Sequence, residues 1–205
     1  MRSRPSAGQP PVAARMLRRD NDAMLYPAPT ALLLIAPCAA ALLAACAPAL
    51  DWRELRPADS GGLQLLMPCK AVAQQRQVVL VGHALRLRLH ACDAGDRTWA
   101  VAVGDVKDPA QVPAALLALR EAAAANVGAI ASQPVTLAVP GATPQPDSAR
   151  VRLAGRRPDG AGVAVETAVF SRGTLVVQAT VLGPKVGSGV AEDAEAFFAS
   201  LRFAP

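Results

Sequence analysis

Apolar and polar residues alternate along several short stretches of the chain, as they do in strands with one face in a core. The clearest stretch is 84–92, whose leucines and basic residues fall on opposite sides of an extended chain: Leu85, Leu87 and Leu89 against Arg86, Arg88 and His90. This period of two predicts an amphipathic strand with one solvated face. Further strands are predicted at 63–67, 77–81, 98–106, 135–139, 149–155, 162–171 and 174–182.

The period changes in two places, where apolar residues recur at helical spacing. The first predicted helix covers 109–127, and its apolar stripe consists of Val112, Leu116, Leu119, Ala123 and Val127. Gly128 follows the stripe and is a typical helix stop. The second predicted helix covers 190–201, with a stripe of Ala194, Phe197, Phe198 and Leu201.

Between the strands lie four short polar segments that predict tight turns. They are Gly82-His83, 93–96, 157–160 and Arg172-Gly173. Glycine, proline and aspartate favour such turns because of their backbone preferences and local hydrogen bonds.

The order of elements is several strands, a helix, several more strands and a terminal helix. It predicts an α+β domain: an antiparallel sheet of about six to eight strands with two main helices packed on it. The Met67-Pro68 step that closes an early strand and the sequence FFASLRF at 197–203 give a weak resemblance to the PsbP-like fold of exported proteins. The resemblance covers most of residues 52–203. It implies a fold and no activity, because that fold has many roles.

A continuous apolar stretch of fifteen residues, 31–45, precedes this domain. It is short for a bilayer span of roughly 20 residues and typical of the apolar region of a signal peptide. Leu43-Ala44-Ala45-Cys46 follows the lipobox pattern, and here the chain resembles bacterial lipoproteins. The resemblance implies cleavage before Cys46 and a lipid on its thiol.

Three alternatives leave the processing of this segment open. Arg18 and Arg19 supply the positive charge, but they lie about a dozen residues before the apolar stretch, so translation from Met16 or Met24 is an alternative start. An uncleaved amino-terminal anchor helix is an alternative to cleavage, although Pro37 disfavours it. Cys38 is a rival lipidation site, but the proline before it departs from the lipobox pattern.

Lipidation divides the chain into a signal peptide at 1–45, a tether at 46–51 and a single domain at 52–205. The acyl chains would bind the membrane, because each buried methylene contributes about 0.8 kcal/mol and stable anchoring needs more than one chain. In the Gram-negative lipoproteins that this segment resembles, an aspartate directly after the lipidated cysteine signals retention at the inner membrane, and Ala47 stands at that position. The expected location is therefore the periplasmic face of the outer membrane, with the inner membrane as the alternative.

The positive charge of the chain belongs largely to the segment that is removed. The full chain has 21 basic and 16 acidic residues, of which 16 and 14 follow residue 45, so the formal charge falls from +5 to +2. A nucleic-acid partner is therefore not expected. The partners expected are the membrane, through the lipid, and an envelope protein, while the sequence leaves the oligomeric state open.

Two cysteines, Cys69 and Cys92, remain in the domain after processing. In an oxidising compartment they predict a structural disulfide. The alternative adds His90 to the two thiolates as a zinc or copper site, since these are suitable ligands. No metal, and no other cofactor, is predicted from the spacing of the remaining residues.

The basic side of the strand at 84–92 is the candidate ligand face of the domain. Arg86, Arg88 and His90, with Arg150 and Arg152 on a neighbouring strand, are suited to an anionic ligand or a phospholipid head group. The alternative is an ordinary solvated sheet face.

Sequence motifs of catalysis are lacking, so no catalytic residue is predicted. The sequence contains no G-x-S-x-G or S-x-x-K motif, and nothing selects a pair such as His83 with Glu166. Trp52 and Trp99 are expected in the core rather than in a stacking platform. The prediction is a non-enzymatic binding or accessory module of the envelope. The alternative is a metal-handling protein or hydrolase with a site around His83 or His90.

Overall fold

The computed structural model describes residues 50–129, 131–156, 159–184 and 192–205. The predicted signal peptide at 1–45, Cys46 and most of the predicted tether at 46–51 lie outside these residues. Ten strands are described: β1 (Arg53–Leu55), β2 (Leu63–Met67), β3 (Val72–Leu80), β4 (His83–Ala94), β5 (Arg97–Asp105), β6 (Ala131–Val135), β7 (Ala149–Arg156), β8 (Gly162–Arg172), β9 (Leu175–Pro184) and β10 (Arg202–Phe203). The helices are α1 (Val112–Asn126), which follows a 3₁₀ turn at Pro109–Gln111, and α2 (Glu192–Ala199).

Seven strands form one antiparallel sheet in the order β3-β4-β5-β9-β8-β7-β6. After β5 the chain passes through α1 to the opposite edge and then returns strand by strand from β6 to β9. The predicted α+β class and sheet size are confirmed. A second, three-stranded sheet, β1-β2-β10, was not predicted.

The two faces of the large sheet carry different parts of the core. On one face, called the α1 face, α1 packs against β8 and β9. The other face, called the α2 face, carries the largest cluster of buried side chains. It brings Trp99 on β5 together with residues of β2, α2 and β10, including Leu65, Phe197 and Phe203.

Both predicted helices are present, with shorter bounds. Asp108 caps the 3₁₀ turn by accepting a hydrogen bond from the Ala110 amide, so regular α-helix starts at Val112 rather than 109. The stripe residues predicted for both helices are buried. The helix predicted for 190–201 covers Glu192–Ala199, with 190–191 outside the described residues.

The strand predicted for 135–139 is wrong. The edge strand β6 is Ala131–Val135 and contains Pro134. Proline lacks an amide donor and is normally a strand breaker, but an edge strand tolerates it where no amide is needed. The turn predicted at 93–96 is confirmed, at Gly95-Asp96. The other two lie one residue from their predicted positions, at Val81-Gly82 and Gly173-Thr174. The turn predicted at 157–160 falls partly outside the described residues.

Candidate functional site

Cys69 and Cys92 form the predicted disulfide. Their Cα atoms are 6.0 Å apart, and the bridge joins the segment before β3 to the end of β4. Neither sulfur is then a thiolate, so the alternative of a metal site made of Cys69, His90 and Cys92 is wrong for this structure. Within the described ranges, no group of three or more His, Cys, Asp or Glu residues is arranged to hold a metal ion.

The bridge closes the base of a positively charged hairpin formed by β3 and β4. Residues 70–92 carry four basic side chains, and no Asp or Glu occurs between Asp59 and Asp93. The basic residues of this segment, called the basic hairpin below, are Lys70, Arg76, Arg86 and Arg88. The concentration of positive charge is the electrostatic feature that distinguishes this part of the nearly neutral domain.

Arg86, Arg88 and His90 share one side of β4, as predicted, and lie on the α2 face. Their surroundings differ. Arg86 is exposed, whereas the Arg88 guanidinium donates to the Ala58 carbonyl oxygen at 3.1 Å and pairs with the Asp59 carboxylate. The positive charge of Arg88 is therefore partly neutralised, and that of Arg86 is more available to a ligand.

His90 is half-buried beside the disulfide. Burial, and secondly the charge of Arg88, lower the pKa of its imidazole. The lowered pKa favours the neutral imidazole, which offers a hydrogen-bond donor and an acceptor and no positive charge. As a ligand face for anions, these three residues stay a prediction.

Arg150 and Arg152 also lie on the α2 face, but not on a strand next to β4, contrary to the prediction. They lie on β7, which β8, β9 and β5 separate from β4. At about 4.8 Å per strand the separation is roughly 19 Å. Both arginines instead bind the buried carboxylate of Glu166 on β8, and the Arg152 Nε to Glu166 Oε2 distance is 2.9 Å.

The same cluster holds α2 on the sheet. Arg150 donates two hydrogen bonds to the Glu195 carboxylate of α2, at 3.1 and 2.7 Å, and its guanidinium lies 4.2 Å from the centre of the Phe198 ring. The hydrogen bond from Arg150 lowers the pKa of Glu195. Burial by itself would lower the pKa of Arg150, but Glu195 and Glu166 outweigh burial and raise it. These four charges therefore satisfy one another, which indicates a structural role.

His83 lines a small cavity at the tip of the basic hairpin. The cavity has a volume of about 220 Å³ and is also lined by Asp105, Lys107 and Gln111. The carboxylate of Asp105 accepts hydrogen bonds from the Lys107 amide and Nζ, at 2.9 and 2.7 Å. Burial would raise the pKa of Asp105, but the bonds from Lys107 lower it overall. Asp105, and not Glu166, therefore shares this cavity with His83, whereas Glu166 is bound by two arginines of β7.

The exposed apolar side chains of the basic hairpin were not predicted from the sequence. In the part of the chain that the structure describes, the exposed large hydrophobic residues are Val72, Val79 and Val81, with exposed fractions of 61%, 77% and 45%. All three lie on β3 or in the turn that follows it. The absence of acidic residues over 60–92 is a sequence signal that could have marked this hairpin as distinctive.

Comparisons with known proteins add no assignment to these features. No protein-family model matches the chain, and no curated protein matches it either. Among the helices of the described ranges, none has the length and apolar character needed to cross a bilayer. The candidate site is therefore the basic hairpin, with its cations, its disulfide and its exposed valines.

Proposed function

We propose that this protein is an exported lipoprotein, anchored through Cys46, whose domain is a non-enzymatic binding or accessory module of the cell envelope. The observation that carries the proposal is the basic hairpin: a positively charged, exposed element that a disulfide fixes at its base. Binding surfaces of this kind attract anionic partners and need no convergent catalytic groups. The partner is expected to be an envelope protein at the periplasmic face of the outer membrane.

The disulfide supports export, because such bridges form and persist in oxidising compartments. The tether supports a position close to the membrane. Five residues separate Cys46 from Trp52, a span under ~20 Å even when extended. Trp52 packs edge-on against Trp99, with ring centres 5.9 Å apart, so the domain begins directly after the tether.

Fractionation of cells expressing the full chain, followed by intact mass measurement, tests this proposal. We expect the protein in the outer-membrane fraction, without residues 1–45 and with acyl groups, and we expect Cys69 and Cys92 to resist alkylation before reduction. Cys46→Ala should abolish acylation, whereas the matched variant Cys38→Ala should leave it intact. An unacylated protein, or acylation lost only in the Cys38 variant, would contradict the proposal.

The alternative function, a metal-handling protein or hydrolase, has one observation in its favour: His83 and Asp105 line the same cavity. Its volume of about 220 Å³ is below the range of roughly 300–1,000 Å³ typical of ligand pockets. The lowered pKa of Asp105 also makes that carboxylate a weak base. A calorimetric Zn²⁺ titration tests the metal version: micromolar or tighter binding that His83→Ala removes would favour the alternative.

A further inference from the structure

We propose that β3, the free edge of the basic hairpin, binds an extended acidic segment of another envelope protein by strand addition. This inference deepens the proposed function and rests on it, because it specifies the chemistry of the partner. It joins three observations: unpaired backbone groups along β3, exposed valines on the same strand and turn, and two exposed arginines, Arg76 and Arg86, that have no carboxylate within ion-pair distance in the described residues.

The backbone of β3 offers a regular row of hydrogen-bonding groups. Val81 and Gly82 form a two-residue turn with φ of 51° and 77°, and Leu80 lies directly opposite His83. In such a hairpin the pair that flanks the turn is hydrogen-bonded, and bonded and non-bonded pairs then alternate. Even-numbered residues of β3 therefore bond to β4. The amides and carbonyls of Ala73, Gln75, Gln77 and Val79 point outward, to the free side of the strand.

The two edges of the large sheet differ in how they resist pairing. At one edge, β6 has five residues and contains Pro134, which removes a donor. At the other edge, β3 has nine residues and no proline. Exposed valines add apolar contact area for a partner at both ends of β3. Long edges without a block are the usual sites of strand addition.

Charge decides which partner fits this edge. Arg76 is exposed near the middle of β3, and Arg86 lies on the adjacent strand. In the described residues neither guanidinium has a carboxylate within ion-pair distance. A second copy of the hairpin would bring the same uncompensated cations, and like charges across strands are destabilising. An acidic segment would pair with them.

The register of β3 predicts the pattern of the partner strand. Even residues of β3 face α1, as the packing of Val78 and Leu80 against that helix shows. On that side Arg76 lies between Val78 and Gln74, and Val72 follows Gln74. A bound segment should place aliphatic residues opposite the valines and Glu or Asp opposite Arg76. Cross-strand pairs of these kinds are the ones that stabilise antiparallel sheets.

An anionic membrane surface is less suited to the same edge. Lipid head groups can pair with Arg76 and Arg86, but hydrocarbon offers no partner for the outward amides and carbonyls of β3. Backbone groups left without hydrogen bonds in the hydrocarbon cost several kcal/mol each. A peptide strand satisfies those groups and the cations together.

The test uses the full chain purified from expressing cells and a capped nine-residue peptide that follows this pattern, with valine opposite Val72, Val78 and Val79, glutamate opposite Arg76 and threonine at the other positions. Amide hydrogen exchange is followed for each residue by NMR. We expect the peptide to slow exchange at Ala73, Gln75, Gln77 and Val79 and to leave the already protected even-numbered residues nearly unchanged. A peptide with lysine in place of glutamate, and one N-methylated at alternate residues, should have little effect.

Two variants separate backbone pairing from charge. Gln75→Pro removes an outward donor that β4 does not use, so the hairpin should remain folded while peptide binding is lost. Arg76→Glu should weaken binding about five-fold or more through loss of the cross-strand ion pair. Arg120→Glu on α1 makes the same charge change away from the edge and should bind like wild type.

Each other outcome would overturn the inference. Equal protection by the lysine peptide would refute the acidic partner. Protection that appears without peptide and rises with protein concentration would identify a second copy as the occupant. Binding to phosphatidylglycerol vesicles without any effect of the peptide would identify the membrane. The peptide experiment measures exchange at β3 amides only. A finding that Cys46 carries no acyl group would therefore refute the lipid anchor, and it would not bear on strand addition at β3.

Discussion

Glu166→Gln should be among the most destabilising conservative changes in the domain. Glu166 is 1% exposed, and its two oxygens accept hydrogen bonds from Arg150 and Arg152. Glutamine keeps the shape and removes the charge. Removing one partner of a buried ion pair costs about 3–5 kcal/mol, because the other charge is left uncompensated.

The structure places the expected loss at the lower end of that range. Arg150 keeps two hydrogen bonds to Glu195, and the Arg152 side chain is 38% exposed and regains water. We therefore expect a loss of about 3 kcal/mol in the free energy of unfolding. For a domain of this size the melting temperature should fall by roughly 6–12 °C. Urea unfolding followed by the fluorescence of the two tryptophans measures both the midpoint and the slope.

Glu195→Gln is the matched control, because it makes the same change on the other carboxylate that binds Arg150. The Glu195 side chain is 60% exposed, so the expected cost is below about 1 kcal/mol. Since the folded pKa of Glu195 is lowered, the pair stabilises above its ordinary pKa of 4.5 and this contribution is lost as pH falls through the lowered value. A loss for Glu166→Gln no larger than that for Glu195→Gln would refute the buried-charge reasoning.

Three further predictions concern the backbone and the disulfide. Val81→Asn should stabilise the protein by about 1 kcal/mol in urea unfolding, because a β-branched residue at φ 51° is strained and asparagine tolerates that conformation; an unchanged or lower stability would contradict this. Replacing both Cys69 and Cys92 with alanine should lower the free energy of unfolding by about 3 kcal/mol, because the disulfide links residues 23 apart in sequence. An unchanged melting temperature would contradict this expectation. Gly155→Ala should lower the free energy of unfolding by about 1–3 kcal/mol, because the added Cβ would lie 2.0 Å from the Val127 carbonyl oxygen. A variant that melts at the wild-type temperature would show that the backbone shifts to avoid this clash without loss of stability.

Local patterns were sufficient for the elements whose neighbours in space are neighbours in sequence. The stripe of α1 and the alternation of β4 were predictable because each depends on a single period. The 94–97 turn was predictable because Gly95 adopts a φ of 64°, which favours glycine. The short strands β1 and β10 were missed because they are formed through pairing with β2 and carry no periodic signal of their own.

The position of the arginines could not be predicted, because it depends on the strand order. Arg150 and Arg152 would neighbour β4 in several arrangements of the sheet, but α1 carries the chain to the far edge before β6 and β7 form. Their pairing with Glu166 follows from the register of β7 and β8, in which Arg152 and Glu166 are direct partners. Glu195 joins them only because α2 packs over that part of the sheet.

The charge of the basic hairpin bears on specificity as well as on attraction. An unguarded nine-residue edge is a hazard wherever copies of a protein meet often, as they would on a membrane if the proposed lipid anchor is present. Pro134 hinders strand pairing at β6, but a proline in β3 would also prevent a partner strand from pairing there. Positive charge without acidic residues over 60–92 discourages pairing between two copies and leaves the edge open to an acidic segment. Neutralising both Arg76 and Arg86 should therefore increase self-association as it weakens binding of the acidic peptide. Sedimentation measurements that show a monomer in the doubly neutralised variant would refute this role for the charge.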